Sequence, residues 1–160
     1  MTKHFHSDPM YLGIDPGKSG GLCLIDGEFI KAYKCPRDVK DMALLFAMAI
    51  SSNKTKTVTA YIEQVWARPN DGKSNIWTFA ENYGMWKGIA GSYEIDLIEV
   101  SPQKWMKYYE VPKLEKSSRK RYLRDKARSM YPELKKVTLN TADAILIANY
   151  GKEIDANSSK

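Results

Sequence analysis

Cysteine and long apolar runs are scarce in this sequence, and each scarcity excludes a class of protein. The two cysteines, Cys23 and Cys35, lack the CxxC spacing and the nearby histidines of a zinc site, and two are too few for a disulfide framework. No apolar run approaches the roughly 20 residues that a membrane-spanning helix needs, and the N-terminus lacks the apolar segment of a signal peptide. We therefore expect a soluble, cytoplasmic protein with no membrane partner.

What the sequence does have is enough apolar material for one packed domain, together with an excess of positive charge. Of its 160 residues 43% are hydrophobic and four are tryptophan, so the chain can bury a core without covalent cross-links. We predict one domain over 10–151, with disordered tails at 1–9 and 152–160. The net charge of +6 favours a polyanionic partner, nucleic acid first, and a merely solvated basic surface is the alternative.

Apolar periodicity and turn residues predict the order of the elements. Asp38 is a suitable helix N-cap, and Gly151 is expected to stop the last helix. The predicted elements are strands at 10–14, 20–25 and 28–33, a helix from 39, a strand at 57–65, a helix at 76–91, a strand at 94–100, a short helix from 102, a basic amphipathic helix within 113–132 and a helix from 140.

This order predicts an α/β fold built on a mixed five-stranded sheet with helices on both faces. Tight turns make the first three strands antiparallel, and the right-handed crossover rule makes the two later strands parallel to the first.

Three carboxylates stand at comparable places in this fold: Asp15 and Glu63 at strand exits, and Asp143 in the first turn of the last helix. The exits of parallel strands form one edge of a sheet, so we expect the three to converge. Alone, Asp15 is equally explained as a turn residue and Asp143 as a favourable helix-dipole charge. Glu63 interrupts an apolar strand and needs a partner.

Clustered carboxylates are electrostatically costly unless a divalent cation neutralises them. Oxygen ligands without thiols or imidazoles suit Mg²⁺ or Mn²⁺. Two such ions about 3.5–4 Å apart can support in-line hydrolysis of a phosphodiester, which fits a basic protein surface.

The segments GIDPGKSGG, YIEQV, NYGMWKGIAG and TADAILIA resemble, in order, the sequence blocks of the RuvC-type Holliday junction resolvases, most closely the small resolvase-like nucleases of bacterial viruses. The resemblance covers about 10–150. It implies an RNase H-like fold, a homodimer that binds four-way DNA junctions, and Mg²⁺-dependent nicking of one strand by each subunit. It also implies that Asp15, Glu63 and Asp143 are metal-binding catalytic acids.

One position departs from that family. The bacterial resolvases usually carry an acid or histidine three residues before the final aspartate, where this sequence has Asn140. One helical turn separates Asn140 from Asp143, so its amide oxygen could reach a metal or position a water, and the alternative is that the residue only caps the helix. The resemblance also places Lys116 of the EKS sequence beside the scissile phosphate, as a catalytic and DNA-binding lysine, and matches Lys107 to a second family lysine.

Other basic and polar residues are expected to contact DNA phosphates. The basic helix is one source, although a solvated charged face is its alternative, and the loop after Glu63 is another. We predict a base-wedging role for Trp66 or Trp77 and expect Trp77 to be the more buried. Further predicted DNA-binding residues are Lys18, Arg68, Lys73, Asn75, Arg119 and Lys120.

Two further features have open explanations. Gly20 and Gly21 are expected to let the backbone approach a bound phosphate. The small residues Gly84, Gly88 and Gly91 permit close helix packing, either in a dimer contact or on the protein's own sheet.

Several functions compete with junction resolution. The same acids could serve a flap or branched-DNA nuclease or an RNase H acting on hybrids, because a fold does not choose among substrates. A junction-binding protein without catalysis is a further alternative, kept open by Asn140. The actin-like kinases share a GIDPG-type first strand, but they need two lobes and this chain has one.

Overall fold

The computed structural model describes residues 9–51, 56–64, 66 and 72–158. The elements of this part of the chain are, in order, β1 (Met10–Asp15), β2 (Gly21–Asp26), β3 (Phe29–Lys34), α1 (Val39–Ser51), β4 (Val58–Glu63), α2 (Lys73–Ser92), β5 (Leu97–Val100), α3 (Pro102–Tyr108), α4 (Lys116–Met130) and α5 (Ala142–Ser158).

The strands form one five-stranded sheet in the order β3-β2-β1-β4-β5. β1, β2 and β3 are antiparallel neighbours, and β4 and β5 run parallel to β1, which confirms the predicted mixed sheet. β1 is therefore central, with β2 on one side and β4 on the other. This arrangement sets the exit of β1 beside the exit of β4.

Alternate residues of the central strands supply two separate cores. Leu12 and Ile14 of β1 pack with α1 and α2 on one face, while Tyr11 packs with α3, α4 and α5 on the other. The side chains of a strand alternate between faces, so a sheet covered on both sides needs apolar residues at nearly every position. β1 meets that need, because its five residues before Asp15 are all buried.

α5 lies very close to β1 because one residue of the strand has no side chain. A Cβ atom at Gly13 would stand 2.3 Å from the carbonyl oxygen of Ala144 and 2.3 Å from the amide nitrogen of Ala148. Only glycine permits that approach. The contact holds the start of α5 against the carboxyl end of β1.

The prediction that Gly151 stops the last helix is wrong, and so is the disordered tail from 152, since α5 continues to Ser158. A Cβ atom at Gly151 would stand 2.3 Å from the ring of Tyr61. This glycine therefore makes room for a buried ring of β4 rather than ending a helix.

Two other boundaries differ from the sequence prediction. α2 begins at Lys73, three residues before the predicted 76, since Gly72 is its N-cap and accepts backbone hydrogen bonds from Asn75 and Ile76. β5 is shorter than predicted, because the turn that ends α2 occupies Glu94 and Ile95. The N-cap prediction is confirmed, since Asp38 accepts a 2.9 Å hydrogen bond from the amide of Asp41.

Cys23 and Cys35 are both free and buried. Over the described ranges, no helix combines the length and the apolar character required to cross a membrane. The tail predicted at 1–9 falls, except for its last residue, outside the described residues.

Candidate active site

Asp15, Glu63 and Asp143 lie at one edge of the sheet. β1 and β4 run parallel with Ile14 opposite Ile62, so the next residue of each strand, Asp15 and Glu63, leaves the sheet beside the other. The contact between Gly13 and Ala144 brings Asp143 to the same edge. All three acids are half-buried.

The three acids act on one another electrostatically. Burial, followed by the charge of Asp15 and then that of Asp143, raises the pKa of Glu63 to about 8. Burial and the charge of Asp15 raise the pKa of Asp143 to about 7. Burial also raises the pKa of Asp15. Both effects disfavour the ionised forms, so ionising the three acids together would concentrate negative charge that the fold alone does not neutralise.

The turn after β1 is folded around Asp15. The amide of Gly17 donates a 3.1 Å hydrogen bond to Oδ1 of Asp15, and the amide of Gly20 donates to the carbonyl of Gly17. A Cβ atom at Gly20 would stand 2.7 Å from Cγ of Asp15. The expectation that Gly20 makes room for a bound phosphate is therefore revised, since the space is filled by the Asp15 carboxylate.

Glu63 has a buried hydrogen-bond donor. Nε1 of Trp105, on α3, donates a 2.8 Å hydrogen bond to Oε2 of Glu63. The indole is only 1% exposed, so the bond is shielded from water. This donor holds one carboxylate oxygen and leaves Oε1 for another partner. Trp105 lies in the short helix that the sequence predicts from 102, but sequence reasoning missed this contact.

Two cations of α4 face the acids. Lys120 lowers the pKa of Asp15 and of Asp143, and Arg119 lowers the pKa of Glu63 and of Asp143. Both are half-buried, because they share a face of α4 with the buried Leu123. Lys116 is the first residue of the helix and is exposed. Its catalytic role stays a prediction.

Asn140 lies beside the first residue of β2. Its backbone carbonyl oxygen would stand 3.0 Å from a Cβ atom at Gly21, and Gly21 is the sheet partner of Asp15. Side-chain hydrogen bonds at the start of α5 come from Thr138 and Thr141 instead. Among the described residues the side-chain amide of Asn140 has no hydrogen-bond partner, so Asn140 is not the helix cap, which was one of its predicted roles. The other, as a metal ligand, stays a prediction.

The donor set has the chemistry of a magnesium site but not the closed geometry of one. Within the described ranges, no group of three or more histidine, cysteine, aspartate or glutamate side chains is arranged so that it could hold a metal ion. The acids are close enough to raise each other's pKa and supply only oxygen ligands, the type that Mg²⁺ prefers. The residues therefore fit the ion in type, and the site would have to tighten around it.

Most of the remaining predicted DNA-binding residues are exposed, and one lies outside the described residues. The predicted residues that the structure exposes are Lys18, Lys73, Asn75 and Lys107. Arg68 falls outside the described residues.

The first half of α2 lies near the turn that follows Asp15. The ring of Phe79, on α2, packs 3.4 Å from where a Cβ atom of Gly17 would stand.

Both candidate wedge tryptophans are exposed. Trp66 is 66% and Trp77 is 73% exposed. The expectation that Trp77 is packed inside is therefore wrong, since it lies on the outer face of α2. The open space around Gly84, Gly88 and Gly91 also excludes their packing on the protein's own sheet, because no atom lies within 4 Å of a Cβ built at any of them.

The sheet order and the flanking helices define an RNase H-like α/β fold. Among solved structures, RuvC of T. thermophilus in complex with a Holliday junction substrate matches with a TM-score of 0.64 and 13% identity, covering 95% of this chain and 98% of that one. A second Thermus thermophilus RuvC structure matches with a TM-score of 0.59 and 15% identity, covering 93% of this chain and 96% of that one. No family model and no curated protein matches the sequence.

Proposed function

We propose that this protein is a Mg²⁺-dependent, structure-selective DNA endonuclease that resolves four-way junctions by paired nicks. The observation that carries the proposal is the group of three mutually repelling acids at the edge of an RNase H-like sheet, flanked by the cations of α4. Ionised acids held together at this half-buried edge destabilise the fold in the absence of a cation. The shared fold with a RuvC captured on a Holliday junction substrate supports branched DNA as the ligand.

The acids would bind the cations, and Trp105 would hold one of these acids in position. Asp15, Glu63 and Asp143 are the proposed ligands, with Asn140 as a neutral fourth, and Mn²⁺ is expected to substitute for Mg²⁺. When bound, a pair of Mg²⁺ ions would activate the attacking water and stabilise the leaving oxygen. Trp105 keeps Oε2 of Glu63 in place, so that the carboxylate does not rotate away from its ligand position.

The basic residues hold the DNA strand over the acids. Arg119 and Lys120 already lie within electrostatic reach of the carboxylates, so they can bind the phosphate that is cut. Lys116 is at the exposed start of α4, where free backbone N–H groups also attract a phosphate. Lys18, Lys73, Asn75 and Lys107 extend this surface along the strand, and Trp66 or Trp77 can stack on a base where the junction opens.

A homodimer is part of the proposal, because symmetric resolution of a junction needs two active sites. The face of α2 that carries Gly84, Gly88 and Gly91 is open, and the apolar Leu44 and Met48 of the neighbouring α1 are about 60% exposed, at 62% and 60%. A second copy placed there would bury this apolar area.

Light scattering tests the dimer. It should report a dimer for the wild type and a monomer for Gly88→Arg, while the control Ser129→Arg on α4 should remain a dimer.

Cleavage of synthetic DNA tests the proposal directly. A labelled four-way junction should be cut symmetrically with Mg²⁺ and not with EDTA. Asp15→Asn should abolish cutting while leaving junction binding intact in a gel-shift assay, and the matched change Asp96→Asn, at an exposed position outside the site, should retain both.

Assays of flaps and RNA–DNA hybrids beside the junction distinguish the alternative functions. Faster cutting of a flap than of a junction would favour a branched-DNA nuclease, and cutting of only the RNA strand of a hybrid would favour an RNase H. Tight junction binding without cutting under any divalent cation would overturn the enzymatic proposal.

A further inference from the structure

A groove lies between the end of α3 and the start of α4. It is open to solvent and has a volume of about 590 Å³. Its apolar lining comes from Met106, Val111, Pro112 and Leu114. Lys107, Lys113 and Arg119 line it as well, so an apolar surface and three cations face the same space.

The groove adjoins the candidate active site, because both are built on the same two helices. α3 directs Trp105 to Glu63, while its neighbours Gln103 and Met106 line the groove. On α4, Arg119 lines the groove and also lowers the pKa of Glu63 and Asp143. A DNA strand that places a phosphate at the acids, next to Arg119, therefore also lies beside the groove.

Glu110, at the edge of the groove, has an unusual backbone conformation. Its φ is 52°, in the left-handed region that favours glycine, where it ends α3 through bonds from its amide to Lys107 and from the Val111 amide to Met106. Glu94 ends α2 in the same way with φ 58°, but it does not line the groove. A carboxylate thus stands at position 110, on the groove, although glycine would fit the helix end better.

We propose that this groove binds one unstacked nucleobase of the strand that is cut, next to the scissile phosphate. The inference rests on the proposed nuclease function and adds a base-recognition site to it. The apolar residues cover the faces of the base, the lysines and Arg119 bind the adjoining phosphates, and Gln103 with Glu110 offers hydrogen-bonding groups to the base edge. Neither an uncharged apolar ligand nor a simple anion matches this mixture.

Fluorescence of 2-aminopurine tests base binding without relying on cleavage. The probe replaces single bases within two nucleotides of the crossover, and emission is measured in EDTA as protein is added. At one position we expect a severalfold rise, because 2-aminopurine brightens when it leaves the base stack. Leu114→Ala and Glu110→Gly should reduce the rise, and Glu94→Gly, a change at the same backbone geometry outside the groove, should not.

Cleavage gives an independent readout. An abasic site at the responding position should slow cutting by the wild type about 10-fold, the usual effect of losing one recognised base. The ratio of intact to abasic rates should fall towards 1 in Glu110→Gly and stay unchanged in Glu94→Gly. If the junction is cut but no position responds, or the response survives both groove variants, the base-binding site is wrong. If no DNA is cut while the 2-aminopurine response depends on the groove, the nuclease function is wrong and the base site stands.

Discussion

At the scale of single residues, the acids of the site depend on partners that come from other elements. Glu63 ends β4, yet its hydrogen-bond donor is Trp105 of α3, and a neighbouring cation is Arg119 of α4. A carboxylate held on one oxygen keeps a fixed orientation. The ability of Glu63 to bind a cation should therefore respond to a change at Trp105, which need not touch the cation.

Replacing Trp105 by phenylalanine tests that dependence. Trp105→Phe keeps a buried ring and removes the Nε1 donor, so Glu63 should lose its fixed orientation. Outer-shell hydrogen bonds of this type typically change metal affinity by about 10- to 100-fold. We expect Mn²⁺ binding, measured by calorimetry, to weaken by at least about 10-fold. Because the indole lowers the pKa of Glu63, the pH needed for half-maximal binding should also rise.

Tyr109→Phe is the matched control. Tyr109 packs edge-on against Trp105, with ring centroids 6.5 Å apart, and its hydroxyl donates a 2.7 Å hydrogen bond to the carbonyl of Leu146. Loss of the Tyr109 hydroxyl should lower the free energy of unfolding without altering the affinity for Mn²⁺. Equal weakening of Mn²⁺ binding in both variants would show that α3 packing, rather than the indole donor, matters.

Sequence reasoning identified the positions of the acids better than the surroundings of single residues. Asp15, Glu63 and Asp143 could be brought together because strand exits share an edge. The partner of Glu63 could not be predicted, since an indole donor reaches it only through the packing of α3. Trp77 was wrongly expected to be packed inside, because neither residue type nor helical spacing showed which face of α2 the sheet covers.

At the scale of elements, the site depends on how closely α5 approaches the sheet. Two glycines permit the approach, Gly13 under the first turns of α5 and Gly151 over the ring of Tyr61. Gly13 sets the distance between α5, which carries Asp143, and β1, which carries Asp15. A methyl group there should separate the two elements.

Gly13→Ala is expected to destabilise the protein by about 3 kcal/mol or more, because overpacking a tight contact with rigid backbone atoms forces the helix to move. Urea denaturation should show the loss. DNA cleavage should fall even at temperatures where the variant is folded, since Asp143 moves with α5. Wild-type stability would contradict the close contact.

Gly84→Ala serves as its control. This glycine lies inside α2 with no atom within 4 Å of an added Cβ, so alanine should raise the stability of the isolated subunit, measured in the monomeric Gly88→Arg background, by about 0.5–1 kcal/mol. The opposite signs of the two changes distinguish a packing glycine from an exposed one.

The order and type of the elements followed from the sequence more completely than their ends. The turn residues and the β-forming residues of the first strands predicted the antiparallel half of the sheet, and chain order predicted the parallel half. The prediction for Gly151 was wrong because glycine is favoured at helix ends and also leaves room for a neighbouring ring. Only the position of Tyr61 in the folded sheet decides between these roles.

At the scale of the whole molecule, the buried acids make stability depend on pH. The folded pKa of Glu63, about 8, lies above its ordinary value of 4.5. Between these values the folded protein retains a proton that the unfolded chain has released. Raising the pH through this window in the absence of divalent cations should therefore lower the free energy of unfolding.

Glu63→Gln measures this contribution. At pH 8.5 in EDTA, the variant should be more stable than the wild type by at least about 1 kcal/mol, because one pKa unit corresponds to about 1.4 kcal/mol. At pH 5 the two should converge, since Glu63 is then protonated in the folded protein. Urea denaturation at several pH values gives the comparison, and a difference independent of pH would exclude this origin. Adding Mg²⁺ at pH 8.5 should stabilise the wild type more than the variant.

The placement of the tryptophans also gives the protein an optical signal of its own. Of the four, Trp66 and Trp77 are exposed, while Trp86 and Trp105 are buried on opposite faces of the sheet. Combining Trp66→Phe with Trp77→Phe would leave emission from the two buried indoles, and of these Trp105 alone donates to a carboxylate of the candidate site. Its emission depends on the charge beside it, so a titration with cations could be followed at Glu63 itself, without a label.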